Sequence, residues 1–252
     1  MVDFIIAPSG RRIACRSTDG TGPAIVFLGG FRSDMNGTKA LWLEHWAISN
    51  RYAFIRFDYS GHGQSEGRFE DGCISQWTED AAAVVDLVNG PVLLVGSSMG
   101  GWISLLLARR NTVAVAGLVT IAAAPDFTED SMWAEFDAAT RTRLMTEGLV
   151  HLPSEYGEPY PITRRLIDDG RANCILRDPL HMACPVRFLQ GTEDKDVSVD
   201  VALRLLGHVT GQDIRLTLVK GADHRFSSPD SLDVIGAAVA EVIDRAHHRH
   251  PA

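Results

Sequence analysis

The 252-residue chain is poor in cysteine, has no long apolar run, and carries fewer bases than acids. Each shortage excludes something. Cys15, Cys73, Cys174 and Cys184 form no Cys-x-x-Cys pair and fall far below the density of a disulfide-stapled scaffold, so free thiols in a reducing compartment are expected. The longest nearly apolar stretch, Val113 to Ala124, is well short of the roughly 20 residues that cross a bilayer, so no membrane span is expected. With 24 Lys and Arg against 32 Asp and Glu, the formal net charge is -8. Nucleic acid and anionic membranes need a basic face, so neither is expected as a partner, and a small neutral substrate fits better. The first residues place Asp3 where a secretory signal would be basic, and the apolar run Phe4 to Ala7 is too short for a signal core. They read as a first strand, and together with the free thiols they lead us to expect a cytoplasmic protein. There is no internal repeat and no low-complexity linker, and nothing sets an oligomeric state.

What remains is ordinary globular material, 45% apolar and 22% charged, long enough for one large α/β domain with a buried core. Phe4 to Ala7 and Arg12 to Arg16 suggest a hairpin around Pro8-Ser9-Gly10. The continuous apolar run Ala24 to Leu28 suits a parallel strand covered on both faces, and Tyr52 to Phe57, Val92 to Val95, Ala116 to Ala123, Val186 to Gln190 and Ile214 to Val219 read as further strands. Helices are predicted over Thr38 to Ser49, with an apolar face of Leu41, Trp42, His45, Trp46 and Ile48. Others are predicted over Ser75 to Asn89, Trp102 to Arg109, Val199 to Leu206 and Pro229 to Ala246. This alternation builds a mostly parallel sheet. It stops between about 125 and 184, where Trp133, Phe136, Leu144, Met145, Leu149, Tyr156 and Tyr160 mix with charges; that segment is expected to be an insertion. The tail from Arg245 to His250 reads as a solvated helix end rather than a metal site.

The apolar run Val92 to Val95 drives straight into Gly96-Ser97-Ser98-Met99-Gly100-Gly101, and a helix-forming run leaves it. Strand, Gly-x-Ser-x-Gly and helix together describe a turn so tight that its flanks must be glycine, which pushes the serine hydroxyl outward. Ser98 is the candidate nucleophile. A serine hydroxyl needs a base, and the base needs an acid to orient it. Two late strands deliver Gly191-Thr192-Glu193-Asp194-Lys195-Asp196-Val197 and Lys220-Gly221-Ala222-Asp223-His224-Arg225-Phe226 at their carboxyl ends, the edge where open parallel sheets bind ligands. His224 is the candidate base. Asp194 is preferred as acid over Glu193 and Asp196, because Gly-x-x-Asp-x-x-Val sets it mid-loop with Val197 free to pack inward. The oxyanion that forms needs fixed donors, and the Met99 amide and the Phe31 amide, in Gly29-Gly30-Phe31 after an early strand, are placed to supply them. Trp102, Trp133, Phe136 and Met145 are candidate substrate contacts; Trp133, Phe136, Leu144 and Met145 either line an acyl channel or form the core of a small helical cap.

These four elements, in this order, resemble the α/β-hydrolase family over essentially the whole chain, with one departure at Gly29, where many members carry His. Asp58-Tyr59-Ser60-Gly61-His62-Gly63-Gln64-Ser65 matches the family's Asp-x-x-Gly-x-Gly-x-Ser turn, which is structural there and leaves His62 outside the chemistry. The segments from Asp34 to Ala40, Arg56 to Gly61, Gly96 to Trp102 and Leu216 to Lys220 are similar to a mitochondrial branch of acyl-protein thioesterases that also cleave acyl-glucuronide esters. The resemblance implies an α/β-hydrolase fold with helices on both faces of a twisted sheet and a small helical cap near 125–184. It also implies an ester or thioester hydrolase that needs neither metal nor organic cofactor, acting on a small molecule or an acylated protein. Carbon–carbon bond hydrolases and cofactor-free haloperoxidases use the same triad and stay open. Dehalogenases and epoxide hydrolases put aspartate at the elbow, which Ser98 argues against. A non-catalytic binding relative would be expected to lack a triad member, and none is missing.

Overall fold

The computed structural model describes residues 2–111, 114–154 and 157–249; Val113, Tyr156 and His250, which enter the readings above, lie outside them. The chain opens with a hairpin, β1 (Asp3–Ile6) and β2 (Arg12–Thr18). It continues through β3 (Thr21–Leu28), α1 (Thr38–Ser49), β4 (Tyr52–Phe57), α2 (Ile74–Val85), β5 (Val92–Ser97), α3 (Met99–Arg110) and β6 (Val115–Ile121). A π-helical turn (Thr128–Trp133), α4 (Ala138–Glu147), an antiparallel pair β7 (Leu149–Ser154) and β8 (Gly157–Thr163), and α5 (Arg164–Ala172) fill the next segment. The chain then runs through β9 (Leu180–His181), β10 (Val186–Gly191), α6 (Val199–His208), β11 (Val209–Thr210), β12 (Ile214–Val219) and α7 (Pro229–Arg249).

Eight strands form one sheet in the order β1-β2-β4-β3-β5-β6-β10-β12. Only β1 with β2 and β2 with β4 are antiparallel; every later pair is parallel. Side chains alternate across it as strand geometry requires. Ile25, Phe27, Leu93, Val95, Val119 and Ile121 face the core under α1 and α7, whereas Val26, Leu28, Leu94 and Leu118 face the one under α2, α3 and α6. Because β4 lies on one side of β3 and β5 on the other, the chain reverses direction across the sheet there. The loops after β3 and β5 therefore meet at a crevice, where this kind of sheet binds ligands.

Two sequence expectations change. The fully buried face of α1 is Ala40, Leu43, Glu44 and Ala47; of the predicted stripe, Trp42 and Trp46 pack half-buried against the core, whereas His45 is exposed and Ile48 is 50% exposed. The reason is Glu44, which is buried against the Arg56 guanidinium at 3.1 Å and the Arg16 guanidinium at 3.3 Å; a paired carboxylate rotates the stripe that hydropathy alone would choose. The helix predicted to run to Asn89 ends at Val85, as the amides of Leu87 and Val88 bond three residues back to Val84 and Val85 and tighten the last turn. The segment between β6 and β10 is helical as expected and also carries the β7–β8 pair, which has no clear period in the sequence.

Candidate active site

Ser98 joins β5 to α3 with φ 54° and ψ -117°, a left-handed conformation that an L-residue holds only under constraint. The constraint comes from both sides of the turn. The Ser98 amide donates to the Ile121 carbonyl at 2.9 Å, and the Ser98 carbonyl accepts from Gly101 at 2.9 Å and Ala124 at 3.1 Å. The glycine at position 100 is required by close approach, since a Cβ there would lie 2.1 Å from the Leu28 carbonyl oxygen and 2.6 Å from that of Gly29. So the helix N-terminus is pressed onto the loop that follows β3.

The His224 Nε2 lies 3.2 Å from Ser98 Oγ, and its Nδ1 lies 2.9 and 3.1 Å from the two oxygens of Asp194. A carboxylate partner requires the proton on Nδ1, which leaves Nε2 free to accept from the hydroxyl. The Asp194 carboxylate is fully buried. Burial alone would raise its pKa, but the His224 hydrogen bond, the Val197 amide at 2.8 Å and the Gln190 amide at 3.0 Å outweigh that and hold it below the ordinary value. Val197 packs inward at 7% exposure, so the loop closes beneath its own acid. On the other side Lys39, at the start of α1, donates to the Arg225 carbonyl beside His224. Burial, partly offset by Asp223, lowers its pKa to about 8.

The loop after β3 is a four-residue turn in which the Ser33 amide donates to the Gly30 carbonyl at 3.1 Å. Arg32 occupies its third position at φ 59°, and Phe31 before it has negative φ, the pattern of a type II turn that normally places glycine or asparagine there. A non-glycine residue in that conformation costs about 1–3 kcal/mol. Gly30 lies against Ser98, since a Cβ there would sit 3.4 Å from Ser98 Cβ. Among the described residues, the Phe31 and Met99 amides donate to no protein acceptor. Two free donors therefore flank the serine.

A cleft of about 720 Å³ opens over Ser98 and His224, and Phe31, Phe127, Met132, Phe136, Leu152 and Tyr160 give it an apolar wall. Arg32, Glu135, Lys195 and Asp196 line it as well. Of the four residues expected to contact substrate, only Phe136 lines this cleft. Trp102 is fully buried, because α3 is covered on nearly all sides; it backs the wall through Phe127 at 5.7 Å. Trp133 is half-buried against the core and held between the Arg141 and Arg171 guanidinium groups, and Met145 is 39% exposed on α4. Phe127, Leu152 and Tyr160 were missed, for they come from separate irregular or hairpin segments that share no period.

His62, set aside on sequence, is 5% exposed, and its pKa is lowered to about 4, chiefly by burial and also by the Arg32 charge, against the Ser60 carbonyl. As the pH falls below about 6.5 the unfolded chain takes up this proton and the folded one does not until about pH 4, so stability is lost across that window by about 1.4 kcal/mol per pH unit. Urea unfolding at about pH 7 and pH 5 should show a smaller loss for His62→Gln than for the wild type. Equal losses would contradict the shift.

The sequence model of the alpha/beta hydrolase family matches residues 25–246. The chain is 32% identical over 247 residues to a Bos taurus protein named palmitoyl-protein thioesterase ABHD10, mitochondrial, covering 97% of this chain and 80% of the relative. A solved chain from Agrobacterium vitis S4 superposes with a TM-score of 0.92 at 41% identity, over 96% of this chain and 98% of that one. The alpha/beta hydrolase domain-containing protein 10 from mouse superposes at 0.89 with 31% identity, over 97% and 98%. Relatives named as mitochondrial overturn the cytoplasmic expectation. Few cysteines speak to the redox surroundings of the thiols and an acidic first segment speaks against a secretory signal, and neither chooses among reducing compartments. Among the described residues no helix is long and apolar enough to cross a membrane.

Proposed function

The chain belongs to the alpha/beta hydrolase family, and from that footing we propose that it is a serine hydrolase cleaving carboxylic esters or thioesters through an acyl-enzyme on Ser98. The observation that carries this reading is the continuous hydrogen-bonded chain from Ser98 Oγ through His224 to the buried Asp194, open to a cleft with an apolar wall. His224 takes the Ser98 proton as the oxygen attacks the carbonyl, and Asp194 stabilises the imidazolium without taking the proton itself. The amides of Met99 and Phe31 receive the oxyanion, a service worth roughly 10²–10³ in turnover per donor. His224 then protonates the departing alcohol or thiol, and water, activated by the same base, releases the acid.

A hydrolase whose thioesterase relative is named for palmitoyl-protein, with Phe31, Phe127, Phe136 and Leu152 beside the serine, suits an acyl chain on a small molecule or a protein. The segment 125–184 acts as the cap of one catalytic domain, since it supplies most of that wall. Turnover of p-nitrophenyl esters and acyl thioesters of increasing chain length tests the reading, with fluorophosphonate labelling mapped to the Ser98 peptide. A flat, negligible response to the whole series, with no label at Ser98, would overturn it.

A further inference from the structure

We propose that His62 is a positioning residue for the oxyanion hole: its Nε2 accepts the Arg32 amide and thereby fixes the turn that presents the Phe31 amide to the reacting carbonyl. This rests on the oxyanion role given to Phe31 above. The Arg32 N–H donates to His62 Nε2 at 3.2 Å, and the other ring nitrogen, Nδ1, lies 3.3 Å from the Ser60 carbonyl. A carbonyl can only accept, so the Nδ1 carries the proton and Nε2 is the acceptor.

That arrangement is anchored from below. The Ser60 amide and hydroxyl donate to one oxygen of buried Asp80 at 2.9 and 2.6 Å, and the Ser60 carbonyl also accepts from the Trp77 indole at 3.1 Å. The imidazole is packed edge-on against Phe69 at 5.3 Å and Trp77 at 5.2 Å. The Phe31 ring rests on the same two side chains, at 5.0 and 5.9 Å. One aromatic box therefore seats both the donor residue and the residue that holds its turn.

Arg32 supplies the reason a holder is needed. Its left-handed φ is adopted without the freedom of glycine, so the peptide between Phe31 and Arg32 gains by flipping to the commoner turn, in which the Arg32 N–H no longer faces His62. The His62 acceptor opposes that flip. Burial keeps the ring neutral at physiological pH, so the acceptor is present whenever the enzyme works.

The test uses the full chain with a p-nitrophenyl ester and an alkylboronic acid, which forms a tetrahedral adduct on the nucleophile. For His62→Phe, kcat is expected to fall about tenfold to a hundredfold, short of the roughly 10²–10³ lost with a donor outright. KM stays within about twofold, since the donor serves the transition state rather than the bound ester. Boronate affinity should weaken in step with kcat. His62→Gln, whose amide oxygen can accept the Arg32 N–H, recovers most of both.

Wild-type kcat and boronate affinity in His62→Phe would overturn the proposal while leaving the hydrolase reading standing. If His62→Phe does not fold, the ¹⁵N resonances of wild-type His62 decide: protonated Nδ1 with bare Nε2 supports the proposal, and the opposite tautomer overturns it. A wild-type protein with neither ester turnover nor label at Ser98 would instead remove the hydrolase reading, and the boronate-free tautomer measurement separates the two failures.

Discussion

Ser98→Ala is expected to cut turnover of any accepted ester on the order of 10⁶-fold, the size of loss seen when the nucleophile of a serine triad is removed, and to abolish fluorophosphonate labelling. The fold should survive. The Ser98 hydroxyl has His224 as its hydrogen-bond partner, and the bonds that hold the turn all run through the Ser98 backbone amide and carbonyl, which alanine keeps. The left-handed φ of 54° is no harder for alanine than for serine, since both carry a Cβ. A circular-dichroism melt superimposable on the wild type, with activity gone, is the expected pair of results. Persistent labelling of Ser98→Ala at another serine, above all neighbouring Ser97, would place the nucleophile elsewhere and undo the assignment.

The elbow was legible because it is written locally: strand, glycine-flanked serine and helix are contiguous, and the bonds that shape the turn connect near neighbours or the adjacent strand. The same holds for α1, β4 and β12, whose bounds agree with those expected, Thr38–Ser49, Tyr52–Phe57 and Ile214–Val219. His224 and Asp194 were legible by a different route, since parallel strands deliver every following loop to one sheet edge. What sequence could not give was set by contacts between distant segments. The face of α1 depends on Glu44 meeting Arg56 and Arg16, and hydropathy scores a paired carboxylate as though it stood in water. Trp102, expected to contact substrate, is buried because α3 lies under other elements along most of its length. Tyr160 and Leu152 reach the cleft through the β7–β8 pair, and that pairing has no turn signature strong enough to announce it. The family turn leaves His62 outside the chemistry; its hydrogen bond to the Arg32 amide joins residues 30 positions apart, which no motif records.

The second large effect is expected for Asp194→Asn, with kcat falling about 10⁴-fold while the site keeps its shape, because an amide favours the wrong His224 tautomer. The argument turns on how many donors already address this carboxylate. The amides of Asp196 and Val197 enter one oxygen at 2.9 and 2.8 Å, the Gln190 amide enters the other at 3.0 Å, and His224 Nδ1 completes the set. Asparagine can keep its oxygen on the two backbone amides, and its NH₂ then faces Gln190 and His224. The imidazole answers by presenting a bare Nδ1 and protonating Nε2, so it has no lone pair for Ser98. An unmatched donor opposite Gln190 costs about 1–3 kcal/mol as well, visible as a lower melting temperature at neutral pH. The sign with pH follows from the lowered pKa of Asp194: its stabilisation is complete above the free carboxylate value near 4 and is lost as the pH drops through the folded value, so the wild type and the variant should converge in acid. Asp196→Asn is the control, because it removes a carboxylate charge also lying close to His224 while keeping the backbone amide that enters the Asp194 carboxylate. Turnover of Asp196→Asn should stay near wild type. If Asp196→Asn fell as far as Asp194→Asn, or if Asp194→Asn kept most of its activity, Asp194 would lose its place as the acid behind His224.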